Sequence, residues 1–394
     1  MTPPRPSSRD ELLAVRQKTK MARCAQTFVR GATARFYEWL ADGEHALPEG
    51  PSIWICGDCH YGNLGPIGNR KGEVAIEIRD LDQTVIGNPA HDVIRLALSL
   101  ASAARGFDLP GLVTARMIEQ IVEGYQAALE PAHRAGSATP SVVHKLLKAS
   151  RRRRWDELAC ERIHDPQPTI PLGQRFWPLS REERQDLTDL ALSEPVRELI
   201  TSLHSRPTGA KVDVLDAAYW VKGCSSLGRL RYAVLVAVDG DGKRKFGLID
   251  VKEAAKAAAP RSASADMPRE NGDRVVEGAR HLAPYLGERM RPGHVLGRSV
   301  FLRELLPQDL KLEIGLLDAQ EASAIARFLA GVVGRAHGRQ MSEADRKAWA
   351  TELNRNRSRS LDAPSWLWRS VVELMSLHEG GYLDHCRQVA RIAA

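Results

Sequence analysis

Between Lys211 and Val251 an otherwise helical text changes texture, and that change limits what the chain can fold into. Three strand-like runs follow one another there, "KVDVLDAAYWVKG", "LRYAVLVAV" and "KFGLIDV", rich in Val, Ile, Leu, Tyr and Trp. The "DGDGK" between the last two supplies the residues of a hairpin turn. A helical pattern at 266–284 and one or two strands in "HVLGRSVFLREL" complete a β-rich insert over 208–306. No repeat of solenoid period is visible, so the expectation is an α+β chain with a small antiparallel sheet set between helical regions.

Residues 8–45 read as helix, with Phe28, Phe36, Trp39 and Leu40 forming an apolar stripe, until "PEGPS" breaks the pattern. "SIWIC" reads as a buried strand and "EVAIEIRDLD" as a second strand. "NPAHDVIRLALSLASAARG" begins with proline and ends in glycine, the punctuation of a helix, and "LPGLVTARMIEQIVEGYQAALE" is another. A basic helix is expected at 141–162, irregular chain through "HDPQPTIPLGQRFWPLS", helix at 181–204, and helix again from Gln308. Four segments result: 1–45, 46–207, 208–306 and 307–394.

With 394 residues, 43% hydrophobic and 27% charged, the chain is long enough for two or three lobes with real cores. Neither a signal-peptide core nor a window of roughly 18–20 apolar residues is present, so the expected compartment is the cytoplasm, with no membrane partner. Six scattered cysteines make no disulfide framework. A net charge of +7 permits an anionic ligand without choosing one.

The stretch "CGDCHYGN", Cys56 to Asn63, admits three chemistries. As C-x-x-C-H it would attach a haem, which needs export. As C-x-x-C it would be a redox dithiol or half a zinc site, which needs a second pair or a strand–Cys–helix setting; the other cysteines are isolated and a glycine-rich loop follows. As G-D-x-H-x-x-N it would be a phosphoryl-transfer loop. That chemistry needs a carboxylate to orient the acceptor hydroxyl, an amide oxygen and a second carboxylate for magnesium, and a cation on the nucleotide phosphates. Asp58 and Asn63 have the Asp-to-Asn spacing of a kinase catalytic loop, and "RDLD" brings Asp80 and Asp82 to the end of the next strand.

"GDCHYGN" resembles the G-D-L-H-P-G-N loop of aminoglycoside and choline phosphotransferases, and "IRDLD" resembles their metal motif. More closely, "FVRGATARFYEWLA", "CGDCHYGNLG", "RDLDQTVIGNPAHDVIRLALSLA", "SLGRLRYAVLV", "LIDVKEA" and "DRVVEGARHL" resemble, in order, the blocks of the bacterial domain-of-unknown-function 2252 family. The resemblance implies a two-lobed protein-kinase-like fold, circularly permuted so that a helical catalytic lobe precedes the β nucleotide lobe. It implies Asp58 and His60 as catalytic residues and Asn63, Asp80 and Asp82 as Mg2+ ligands. The ATP-binding set would be Gly223, Ser225, Ser226 and Gly228 of the glycine turn, Lys252 on its strand and Glu277 pairing with that lysine from the next helix. Asp92 and Arg30 would support the site, Asp92 as a structural hydrogen-bond acceptor. Ser225 departs from the resemblance, standing where a middle glycine is usual.

The reading is therefore an ATP- and magnesium-dependent phosphotransferase acting on an unidentified hydroxyl-bearing acceptor. Two other classes stay open: a nucleotide-binding module without transfer, and a nucleic-acid-associated protein using Arg151–Arg154, the less expected of the two. Either 27–42 or 319–339 is the helix that leads into the catalytic loop.

Overall fold

The computed structural model describes residues 4–43, 46–130, 139–163, 169–224, 226–240, 244–262, 265–310, 318–355 and 363–393. The N-terminal helical stretch is three helices, α1 (Arg9–Met21), α2 (Ala25–Gly31) and α3 (Thr33–Asp42). Strands β1 (Ile53–Ile55), β2 (Leu64–Gly68), β3 (Val74–Ile78) and β4 (Val85–Gly87) form two antiparallel pairs, β1 with β4 and β2 with β3. Helices α4 (Ala90–Gly106), α5 (Gly111–Leu129), α6 (Ser141–Arg152) and α7 (Trp155–Ile163) follow. The expected single helix at 141–162 is thus two, because Arg153 takes an extended conformation (φ −66, ψ 142).

The β-rich part is one six-stranded antiparallel sheet in the order β5-β6-β7-β8-β10-β9. Its strands are β5 (Phe176–Trp177), β6 (Val212–Trp220), β7 (Arg231–Val238), β8 (Lys245–Glu253), β9 (Met290–Val295) and β10 (Arg298–Leu305). Helices α8 (Arg181–Leu192) and α9 (Glu194–Thr201) lie between β5 and β6, and α10 (Asn271–Leu282) and α11 (Pro284–Gly287) between β8 and β9. The expected helix at 266–284 starts later, after Pro268. The turn residues 241–243 lie outside the described residues, but Val238 pairs with Lys245 as a hairpin there requires.

Every residue of β7 is buried, because both faces of the sheet are covered. On one face Tyr232, Val234 and Val236 pack with Leu13 of α1 and with Leu187, Leu199 and Ile200 of α8 and α9. On the other, Ala233 and Leu235 pack with Leu158, Ala159 and Ile163 of α7. At about 1.5–3 kcal/mol per fully buried Leu, Ile or Val side chain, these contacts tie 155–201 to the sheet. The segment boundary expected at 207/208 therefore does not divide the cores, and the proline-rich stretch contributes the short strand β5, paired with β6 through Phe176 and Trp177.

The larger core gathers α4, α5, α10 and helices α12 (Ala319–Gly338), α13 (Glu343–Leu353) and α14 (Ser365–Ala393) around β1–β4. α12 lies against α5 nearly backbone to backbone; a Cβ on Gly334 would stand 2.5 Å from the Tyr125 carbonyl oxygen. Just past α12, the Gln340 side chain clasps the backbone of Trp54 in β1, accepting from its N–H at 2.9 Å and donating to its carbonyl at 3.1 Å. The strand that leads into the 56–63 loop is thus anchored to the chain just past this helix. Among the described residues no helix is long and apolar enough to cross a membrane.

Candidate active site

Two loops meet between the sheet and the helices: 56–63, joining β1 to β2, and 79–84, joining β3 to β4. Backbone pairing holds them together, since Arg79 N–H donates to the Asn63 carbonyl at 2.7 Å and the Thr84 hydroxyl donates to the Ile55 carbonyl at 2.6 Å. Asp92, fully buried near the start of α4, accepts from the amides of Cys56 (2.7 Å) and Gly57 (2.9 Å). His337 Nε2 stands 3.1 Å from the same carboxylate; Tyr125 bonds its Nδ1 at 2.8 Å, and Trp349 Nε1 donates to Tyr125 at 3.1 Å. The 56–63 loop is thereby fixed by a chain of satisfied, buried polar groups.

Asp58 faces the cleft and is gripped from behind by Arg95 of α4, whose Nε and Nη2 lie 3.0 and 2.9 Å from Oδ1. Arg95 also donates to the Val29 carbonyl at 2.8 Å, tying α2 to the loop. Asn63 donates through Nδ2 to the Asp58 carbonyl at 3.0 Å, which leaves its own amide oxygen for another partner. His60 is 4% exposed; burial, reinforced by Arg30 and Arg95, holds it at about 4 against the pull of Asp58, so it is a neutral imidazole near pH 7. Its Nδ1 has no hydrogen-bond partner among the described residues. Arg30 is exposed and lines the same cleft.

Lys252, near the end of β8, reaches across from the sheet. Its Nζ lies 3.1 Å from Asp80 and 3.1 Å from Asp82. Burial alone would raise Asp80, but Lys252, a hydrogen bond with Asp82, and Arg303 together hold it well below the usual carboxylate range. Burial and the neighbouring Asp80 push Asp82 up. Lys252 itself is raised, because the two carboxylates outweigh the burial that works against its charge. Asn63, Asp80 and Asp82 form a set of hard oxygen donors, the ligand type a magnesium ion takes, so the residues present fit that ion.

The turn between β6 and β7 lies over these groups. Gly223 (φ +103) and Gly228 (φ +96) adopt left-handed backbone, and a Cβ on Gly223 would collide with the buried Ser226 hydroxyl. Gly223 and Ser226 line the cleft; Gly228 is exposed at the turn, and Ser225 lies outside the described residues. From α1, Lys20 Nζ donates to the Gly223 carbonyl at 2.6 Å.

Glu277 does not pair with Lys252. It bonds Arg280 at 3.0 Å and His281 at 3.2 Å on its own helix, half-exposed. The side chain that α10 presents to the site is Arg274, which donates to the carbonyls of Thr84, of Asp82 (3.1 Å) and of Ala255 (2.9 Å) and so pins the 79–84 loop from outside. Packing of Val275, Val276 and Ala279 into the main core sets this helix phase. Cys56, Cys59 and Asp92 offer ligand atoms within 4.8 Å of one another. Asp92 is already committed to two amides and to His337, and both thiols are raised: Cys56 by its hydrogen bond with Cys59 and by burial, Cys59 by burial, which overrides that same hydrogen bond. The Asp92 carboxylate is thus spent on holding the loop. Arg151–Arg154 lies at the α6–α7 junction with Arg151, Arg152 and Arg154 exposed, and Arg153 pairs with Glu161 at 2.7 Å.

Asp58, His60, Asn63, Asp80, Asp82 and Lys252 open onto one cleft of about 610 Å3, lined by ten lysines and arginines against four aspartates. Sequence reasoning missed Arg95, although a single cation in the apolar run "VIRLALSLA" was a signal for it. It also missed a group of cations deeper in the cleft, Arg79, Arg162, Lys222, Arg231 and Arg303, which lie on five separate segments. No curated protein and no solved structure is similar enough to this chain to be matched. A family model described as an uncharacterized protein conserved in bacteria (DUF2252) matches residues 9–388, and the chain belongs to that family.

Proposed function

We propose that this chain is an ATP- and Mg2+-dependent phosphotransferase with a circularly permuted protein-kinase-like fold, moving a phosphorus-containing group to a hydroxyl-bearing acceptor. The observation that carries the reading is the meeting of Lys252 with Asp80 and Asp82 in the cleft that Asp58 and Asn63 also line. The sheet supports it: glycine turn, strand, lysine-bearing strand, helix, then two more strands is the order of a kinase nucleotide lobe. The clasp of Gln340 on Trp54 favours α12, rather than the 27–42 helix, as the helix that leads into the catalytic loop before permutation. Permutation is physically accessible because domain ends often lie close together at the surface.

In this reading Asp58, aimed by Arg95 through one carboxylate oxygen, keeps the other for the acceptor hydroxyl and takes its proton. Lys252 leaves its carboxylate partners to hold phosphate oxygens, and the amides and Ser226 of the glycine turn cover the chain of phosphates. Asn63, Asp80 and Asp82 would hold Mg2+, which supplies charge neutralisation at the phosphates when bound. Positioning and charge do most of the work in such a site. Purified protein incubated with Mg2+, ATP and candidate hydroxyl acceptors is expected to consume ATP and label an acceptor, with Asp80→Asn reducing turnover by two orders of magnitude or more. Turnover that ignores Asp80 would remove the reading.

The grip of Arg95 on Asp58 also favours a second reading, a nucleotide-binding module whose aspartate is structural. ATP with Mg2+ would then raise the melting temperature with no consumption of ATP in the presence of any acceptor.

A further inference from the structure

Where a kinase-like cleft ends beneath its sheet, a nucleobase needs a flat apolar slot, and this chain has filled that space. Leu158, Ala159 and Ile163 of α7 pack directly on Ala218, Ala233, Leu235, Leu248 and Leu305, the residues of the sheet face that would roof such a slot. What remains open beside α7 is cationic. Arg231 is spent on Asp250 at 2.6 Å, and Arg162 lies 3.1 Å from the half-exposed Glu161. Arg79, Lys222 and Arg303 have no carboxylate partner among the described residues: Arg79 donates to the Asp309 carbonyl at 3.2 Å, Arg303 to the Arg79 carbonyl at 2.9 Å, and Lys222 sits 4.0 Å over the Trp220 ring. The Nε atoms of Arg79 and Arg162 are buried with no hydrogen-bond partner among the described residues. Burial first, and then Arg231, Arg162 and Arg303, drive Lys222 well below its ordinary value, so the cluster repels itself as it stands. Unpaired donors on several cations in an enclosed end of a cleft fit a chain of phosphates.

We infer that a nucleoside triphosphate enters this cleft phosphates first, its β- and γ-phosphates among Arg79, Arg162, Lys222 and Arg303 and its base toward the α2 side. The inference rests on the magnesium and nucleotide reading of Asp58, Asn63, Asp80 and Lys252. In that orientation the α-phosphorus, not the γ-phosphorus, lies at those residues, and the reaction is nucleotidyl transfer. The acceptor hydroxyl oxygen forms a bond to the α-phosphorus and gives its proton to Asp58. The bond from the α-phosphorus to the α,β-bridging oxygen breaks, and pyrophosphate leaves with the electron pair.

Calorimetric titration with ATP, inorganic tripolyphosphate and adenosine, each with Mg2+, separates the possibilities, with melting curves checking that the variants fold. Lys222→Met removes a buried ammonium with no carboxylate partner and Arg162→Gln a guanidinium whose Glu161 partner is half-exposed, so both variants are expected to melt no lower than wild type. Tripolyphosphate is expected to bind and to compete with ATP, adenosine not to bind, and each variant to weaken both anions at least tenfold. In slow hydrolysis or transfer the product is expected to be pyrophosphate. Wild-type affinity for ATP in both variants, or ADP as the product, would overturn the inference and leave the phosphotransferase reading standing. No Mg2+-dependent binding of ATP by the wild type would overturn both.

Discussion

Replacing Lys252 by Met keeps the length of the side chain and removes the one charge that stands between Asp80 and Asp82. Lys252 and Asp82 are nearly buried, with side chains 7% and 12% exposed, whereas Asp80 is 43% exposed and partly screened by water. Breaking a buried ion pair by deleting one partner costs about 3–5 kcal/mol, and the openness of Asp80 lowers that to about 2–3 kcal/mol here. At about 2.1 cal/mol/K of unfolding entropy per residue, a cooperative unit of this size loses about 1.2 °C per kcal/mol, so the melting temperature should fall by about 3 °C. The sign with pH follows from Asp82, whose folded-state value is already raised and climbs further without the lysine. A carboxyl raised on folding contributes stability below its unfolded value and loses it as pH rises, whereas the pairing of Asp80, held low by Lys252, is lost at both pH values; the deficit of the variant should therefore be partial near pH 5 and larger at pH 8. Millimolar Mg2+ should restore much of the loss at pH 8, because a divalent cation replaces the missing charge, and adding Asp82→Asn should restore it without metal. A scanning-calorimetry deficit of equal size at both pH values, indifferent to Mg2+, would refute the placement of two carboxylates against this lysine.

Asp92→Ala strands two loop amides and His337, and should cost about 3–5 kcal/mol, read as a fall in melting temperature of about 4–6 °C. Glu77 is held at about 7 by burial, against the amides of Tyr285 and Leu286. Its folded-state value is raised, so it contributes stability below its unfolded value that is lost as pH rises through about 7, up to about 3 kcal/mol. Glu77→Gln should gain on wild type across that window in denaturant titrations from pH 5 to 8; parallel curves would reject the shift. Gly223→Ala forces a side chain into left-handed backbone against Ser226, and should cost about 1–3 kcal/mol while weakening ATP binding several-fold by titration.

Features that depend on near neighbours in the chain were legible. The strand texture from Lys211, the left-handed glycines of the turn and the paired loops bearing Asp58 and Asp80 all announce themselves in local pattern. The part expected of Asp92 came from the family resemblance and not from local pattern. Helix phase was not readable: Arg274 and Glu277 stand three residues apart, and only the burial of Val275, Val276 and Ala279 decides which one meets the loop. The two-residue strand β5 was hidden because proline-rich flanks mask so short a pairing. The cationic inner end escaped notice for a related reason. Its residues come from α7, β7, β10 and the chain just past β3 and β6, each at a position where a single charge reads as a strand end or a helix surface, and only tertiary packing brings them together.

The most direct measurement of the central claim is a crystal structure of the protein with Mn2+ and a non-hydrolysable ATP analogue, the ion located by its anomalous signal. The account predicts Mn2+ held by the Asn63 amide oxygen and Asp80, with Lys252 turned from its carboxylates onto a phosphate. An ion bound elsewhere, or an analogue lodged outside this cleft with the contacts of Lys252 to Asp80 and Asp82 intact, would contradict it.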